Sequence, residues 1–356
     1  MNVLRKYKKI IAVLLVVLVV CSFCYSCFLG VVLSLFGLTC IALLVLVLLL
    51  NKLIKKSNWY KNIFIHTNQF VTNAGYRNDL QRNYEIVNLG SNPALYSFFY
   101  EHIKGQNWAT GSQGPEMDLE ILKYYYSYLK KGGIVLIPIV AFSSCTPYLW
   151  HKKNRYLGMQ YYSRFAKVLE NNYQASKCIP NLDKVKMWIK YPLICQPNVF
   201  LHLFRNTPID NRLCITEQTM SCLELNNDAD KWIEGWKHEF NIKNLDLPLD
   251  NDMEAYHEEC ANKFVEIINF CKERDLKPVL IFPPMSNVLN ARFSEKAKDT
   301  YIYSFIRNIQ KKTAVDFLDY MCDKRFSSTE LFFNSFFLNL RGRKLFTKQV
   351  LKDLNL

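Results

Sequence analysis

Residues 10–50 contain no charged side chain, running from IIAVLLVVLVV to LVLVLLL. A stretch this long and this apolar belongs in lipid rather than in the core of a soluble domain. As one helix its forty-one residues would extend roughly 60 Å at about 1.5 Å per residue, twice the hydrocarbon thickness of about 30 Å. Two spans joined by a tight turn near Tyr25 to Gly30 fit better, because Ser26 and Gly30 interrupt the Leu/Val run there. A cleaved signal peptide would have a much shorter apolar region.

The flanks bear on orientation. Arg5, Lys6, Lys8 and Lys9 precede the block, Lys52, Lys55, Lys56 and Lys61 follow it, and no acidic residue occurs before Asp79. Positive charge favours the cytoplasmic side, so a hairpin in the cell (inner) membrane leaves both ends and the soluble domain cytoplasmic. A single tilted span would place that domain outside the cytoplasm instead. Eight of the +14 net charges thus lie beside the membrane, where anionic lipid headgroups meet them. The remaining +6 is spread thinly, with no basic helix and no zinc-finger spacing, which argues against nucleic acid as a partner. Membrane lipid is the expected one.

Of the twelve cysteines, four lie in the apolar block, where they pack as small apolar residues. The other eight form no CxxC pair, so neither a metal nor any other cofactor is expected.

Beyond a polar connector at 57–83, strands and helices alternate. The apolar runs predict strands at 84–90, 105–109, 133–140, 278–284 and 314–318. Between them the pattern predicts helices over PALYSFFYEHI (93–103), 115–131, 252–271 and 294–312, with a last one at 340–354. Pro115 with Glu116, Asp118 and Glu120 marks a helix start, and Lys130, Lys131 and Gly132 mark its end. Residues 141–250 lose the rhythm and read as a long insertion with weak helices at 158–172 and 228–239. The organisation expected is a transmembrane hairpin at 1–56, the connector at 57–83, and an α/β domain at 84–356 built on a doubly wound parallel sheet. Ligands bind such sheets at the carboxyl ends of the strands, where Ser91, Phe142 to Thr146, Pro283 to Asn287 and Asp319 would gather.

Two blocks then stand out. NLGSN follows the first strand, and FFNSFFLNLRGRKLFTKQVLKDL closes the chain at 332–354. The first resembles the nucleophile block of SGNH/GDSL hydrolases, and the second resembles that family's closing Asp-x-x-His block, with Leu338, Asn339, Gly342 and Phe346 matching its framework. The resemblance covers about 84–354 without the insertion. It implies a flavodoxin-like sheet, Ser91 as nucleophile, and an oxyanion held by the N–H groups of Ser91 and Gly111; the family's third-block asparagine is absent, with Phe142, Ser143 and Ser144 in its place. It also implies a bacterial, membrane-anchored serine esterase or O-acyltransferase working on acyl (acetyl) esters of cell-surface polysaccharide or its precursors. Partners would be a membrane-bound acyltransferase or polysaccharide assembly proteins.

The chain departs from that pattern at the chemistry. Asn334 stands at the aspartate position and Phe337 at the histidine position, and neither can do the original job. His151, in the loop after the third strand, is the best substitute base, with Asp319 to orient it, and His202 is the runner-up. His102, ahead of the second strand, lies at the wrong edge of the sheet. Ser91 also has a plainer reading, since a serine before Asn92 and Pro93 commonly caps a helix. The alternative to an enzyme is therefore a scaffold or glycan-binding subunit of a cell-envelope biosynthesis complex that keeps the fold without turnover.

Overall fold

The computed structural model describes residues 2–24, 27–64, 82–109, 113–145, 182–206 and 217–356. The chain divides into two units: Met1–Asn62 with Lys186–Ile209, and Ile63–Val185 with Asp210–Leu356. The sequence-based division differs from this, because it assigned 186–206 to an insertion of the α/β domain.

In the first unit the apolar block forms two helices, α1 (Asn2–Cys24) and α2 (Cys27–Ile54). They lie side by side, and Gly37 permits the approach: a Cβ there would stand 2.6 Å from Leu18 Cδ2. The outward faces are aliphatic, with Val13, Val16, Leu35 and Phe36 all more than half exposed. Leu33–Ile54 is long and apolar enough to cross a membrane. At the end of α2 the buried Asn51 accepts a bond from Leu193 N (2.9 Å), and Tyr60 OH donates to Ile189 O (2.8 Å). These two bonds fasten residues 186–206 to the helix end.

The second unit is an α/β domain on a five-stranded, all-parallel sheet in the order β2-β1-β3-β4-β5. The strands are β1 (Tyr84–Asn88), β2 (Gly105–Asn107), β3 (Leu129–Pro138), β4 (Lys277–Phe282) and β5 (Asp316–Asp319). Ile134 to Ile137 are all buried, as a continuous apolar run requires when both faces of a parallel strand are covered. The Asn251–Lys272 helix packs on the Pro115–Tyr125 helix and on Ser304–Lys312. The closing helix, Leu340–Asp353, lies against the segment after β1, with Phe346 and Phe98 ring centroids 5.3 Å apart.

Several boundaries differ from the sequence expectation. The helix expected over 93–103 is a single turn, Asn92–Leu95. Backbone carbonyls in and just after this turn go to side chains: Asn107 Nδ2 donates to Leu95 O (3.2 Å) and Phe98 O (3.3 Å), and Ser97 Oγ to Pro93 O (2.6 Å). The helix expected to run to Lys131 ends at Tyr125, and Lys130 to Gly132 belong to β3. There the strand bulges against β1 between Leu129 and Ile134, Lys130 pairs with Glu85 (2.7 Å), and Gly132 takes a φ of +73°. The weak helix at 228–239 is a capped helix, Cys222–Glu239, whose start carries a reciprocal Ser221–Glu224 capping box. The helix expected at 158–172 lies outside the described residues.

Asn107 joins these pieces, because its Oδ1 also accepts from Asn88 Nδ2 (2.8 Å) and Ala109 N (3.0 Å) inside the core. Asn107→Ala is expected to cost about 2 kcal/mol in urea unfolding, because it leaves buried polar groups unmatched. A change within error would show that these groups find other partners.

Candidate functional site

In the order β2-β1-β3 the chain leaves β1 in one direction and β3 in the other, which opens a crevice at their carboxyl ends. A cavity of about 250 Å³ lies there, lined by Gly90–Ala94 after β1 and by Pro138 and Val140–Ser143 after β3.

Ser91 sits in this cavity at the cap position of the Asn92–Leu95 turn, yet its side chain makes no cap hydrogen bond. Its carbonyl accepts from Leu95 N (2.9 Å), so the backbone closes the turn and the hydroxyl is left to the cavity. Gly90 ahead of it has a φ of +106°, and a Cβ there would stand 3.0 Å from that of Ala94. Only glycine turns the chain here without strain.

The Gly90 N–H donates to Asp118 Oδ1 (2.9 Å), and Gln113 Nε2 donates to the same oxygen. Asp118 is buried in the cavity wall. Burial pushes its carboxyl up to about 7, against the opposing pull of the Gln113 and Gly90 bonds. A group titrating near neutrality in a cleft is a functional-site signal. The sequence reading took Asp118 only as a first-turn acid complementing the helix dipole, and nothing local distinguished it from Glu116 or Glu120. Glu239, also at the cavity, is likewise raised by burial.

After β3 the backbone is strained. Phe142, fully buried, holds a φ of +62°, which is an outlier for a bulky residue. Its ring is clamped among Trp236 (5.1 Å), Tyr301 (5.0 Å) and Phe240 (5.5 Å). Ser143 lines the cavity, and its Oγ accepts from Val140 N (2.9 Å), closing the same turn.

Trp232 and Trp236, one helical turn apart on the Cys222–Glu239 helix, supply part of an aromatic wall. Phe336 and Phe337 of the closing block supply the rest. Asn334, at the expected aspartate position, serves the backbone: its Oδ1 accepts from Phe336 N (2.9 Å) and Phe337 N (2.7 Å). That turn presents Phe337 to Tyr96 (4.8 Å) and Trp232 (5.5 Å). Ser91 and the residue at the expected histidine position therefore do share one cavity, and that residue is a phenylalanine. The tryptophan pair escaped the sequence reading, although two indoles at i, i+4 on an otherwise charged helix were a usable signal.

Other expected site residues fall elsewhere. His151 and Gly111 lie outside the described residues, as does His66. Asp319 ends β5, and that strand is three inter-strand steps from β1, about 14 Å at roughly 4.8 Å per step. Its carboxylate is exposed and already engaged, accepting from Tyr303 OH (3.0 Å) and Met321 N (3.0 Å), and it does not line the cavity. The pairing of Asp319 with a base at Ser91 is corrected accordingly. Pro283 to Asn287 are likewise absent from the lining. His102 is exposed and precedes β2, at the far edge of the sheet. His202 belongs to the first unit, and His257 is buried against Phe305 (5.0 Å). Among the described residues, no histidine lines the cavity.

Comparison with known protein families and with curated proteins gives no match for this chain.

Proposed function

We propose that this chain is a membrane-anchored, SGNH-like binding protein that takes an acyl-bearing sugar of a cell-surface polysaccharide, or of its precursor, into the cavity at Ser91. The observation that carries this reading is Phe337 in the same cavity wall as Ser91. A phenyl ring accepts no proton, and a serine hydroxyl without a base is a poor nucleophile near neutral pH. The aromatic wall of Trp232, Trp236 and Phe336 suits stacking on a sugar ring or cover for an acyl group, while Ser91, Gln113 and Asp118 offer hydrogen bonds to hydroxyls or an ester carbonyl. The parallel sheet, with Ser91 just beyond β1, agrees with the family's layout. In this reading α1 and α2 both span the inner membrane, the basic flanks keep the domain cytoplasmic, and the ligand is a precursor passed to a membrane-bound acyltransferase or an assembly protein.

An active serine esterase or O-acyltransferase is the second reading, with His151 as the rebuilt base. It is favoured by a Ser91 hydroxyl that caps nothing and by a carboxyl nearby that titrates near neutrality.

Fluorophosphonate labelling of the full chain in neutral detergent separates the two. We expect no labelling of the folded wild type, together with quenching of tryptophan fluorescence by an O-acetylated oligosaccharide that is lost in Trp236→Ala. Labelling of wild type that disappears in both Ser91→Ala and His151→Ala would replace the binding reading with the enzymatic one.

A further inference from the structure

The unit formed by Met1–Asn62 and Lys186–Ile209 contains eleven Lys and Arg and no Asp or Glu, so it holds +11 of the chain's +14. Only eight of these charges come from the flanks of the apolar block. Lys186, Lys190 and Arg205 are brought to the unit by the fold. The crowding is felt locally: Lys55 lies below its ordinary range through burial and then through Lys190, and His202 through burial and then through Arg205.

A cleft of about 640 Å³ opens where α2 ends. Leu50, Leu53 and Phe204 give it an apolar side, and Lys56, Arg205 and His202 a polar one. Phe204 is 75% exposed, its ring edge-on to that of Phe200 (5.1 Å). His202 is stacked on Trp59 (4.7 Å), and its Nδ1 is buried with no hydrogen-bond partner among the described residues. Neither Lys56 nor Arg205 has an ion-pair partner among the described residues, and their unit's sequence offers them no carboxylate. From Leu50 to Lys56 the chain advances about 9 Å, roughly the step from upper acyl chain to phosphate in a lipid.

We propose that this cleft binds an anionic membrane phospholipid. Lys56 and Arg205 hold the phosphate, and Leu50, Leu53 and Phe204 cover the start of an acyl chain. The inference rests on α2 crossing a membrane, and it goes beyond a general attraction of basic flanks to lipid by assigning one lipid to one cleft.

Native mass spectrometry of the full chain in neutral detergent tests it, with phosphatidylglycerol and phosphatidylcholine of identical acyl chains as probes. One phosphatidylglycerol should be retained per chain, in preference to phosphatidylcholine by about tenfold or more. Lys56→Gln/Arg205→Gln should remove most of that retention, and Lys8→Gln/Lys9→Gln, which deletes the same charge from α1, should leave it intact. Equal retention of both lipids, equal loss in both double variants, or displacement by millimolar inorganic phosphate would overturn the proposal. A chain released from membranes by alkaline carbonate would instead overturn the membrane reading itself, which is a separate and distinguishable failure.

Discussion

Asp118→Asn is expected to make the full chain more stable than wild type at pH 8, by up to about 4 kcal/mol, and to flatten the fall in stability between about pH 4 and pH 7. The carboxyl goes from 3.8 to about 7 on folding, because burial disfavours its charge more than the Gln113 and Gly90 bonds favour it. That is roughly three units at about 1.36 kcal/mol each. The sign follows from proton counting. Between the two values the folded chain holds a proton that the unfolded chain has released, so stability is full below about pH 4 and is lost as pH rises through about 7. Asparagine keeps an oxygen for the Gly90 and Gln113 donors and has nothing to titrate. The carboxylates of Glu85, Asp323 and Asp353 are shifted the other way by ion pairs and hydrogen bonds, so wild type itself need not show a simple slope. The difference between wild type and variant, measured by urea unfolding at pH 5 and pH 8, isolates Asp118. Parallel pH profiles would show that Asp118 is ionised in the fold with no burial penalty. An acid kept at such a cost, beside Ser91 in a cleft, is what a ligand site would retain against stability.

Gly342→Ala should destabilise the chain by about 3 kcal/mol or more. A Cβ at Gly342 would stand 2.1 Å from the carbonyl oxygen of Leu331, a backbone atom that cannot rotate away. The same carbonyl accepts from Asn339 N (3.0 Å), and Asn339 caps the closing helix through Gly342 N (2.9 Å) while its Nδ2 donates to Glu330 O (2.7 Å). Moving Leu331 therefore pulls on the cap, and moving the cap pulls on Phe337 two residues before it. Gly235 is the control: nothing lies within 4 Å of its added Cβ, so Gly235→Ala should be neutral or stabilising by up to about 1 kcal/mol. Urea midpoints for the pair check both, and a Gly342→Ala midpoint within error of wild type would show that the closing block can shift freely.

Much of the fold was readable because its elements announce themselves locally. IVLIP reads as a strand covered on both faces, and of the stripe Met253, Tyr256, Cys260, Phe264, Ile267, Ile268 and Cys271 all but Tyr256, which is exposed, are buried as helical spacing demands. The errors share one cause. PALYSFFYEHI has helix-forming residues, but its carbonyls are claimed by Asn107, which comes from the next strand. Lys130 and Lys131 resemble a helix end, but Glu85 on the neighbouring strand draws Lys130 into the sheet.

The site divides in the same way. Ser91 and the phenylalanine at 337 were legible from two short blocks, whereas Asp118, Gln113 and the Trp232–Trp236 pair were not. A carboxyl's burial is set by everything packed around it, and the first turn of a helix gives no hint of that. The sequence by itself determined the apolar helices, the alternation of strands with helices, and the identity of the residue after β1. Only the tertiary structure decided which side chains meet at that residue, and which basic residues from position 186 onward join the end of α2. Periodicity and charge act over a few neighbouring residues, whereas a cavity is made by segments far apart in the chain.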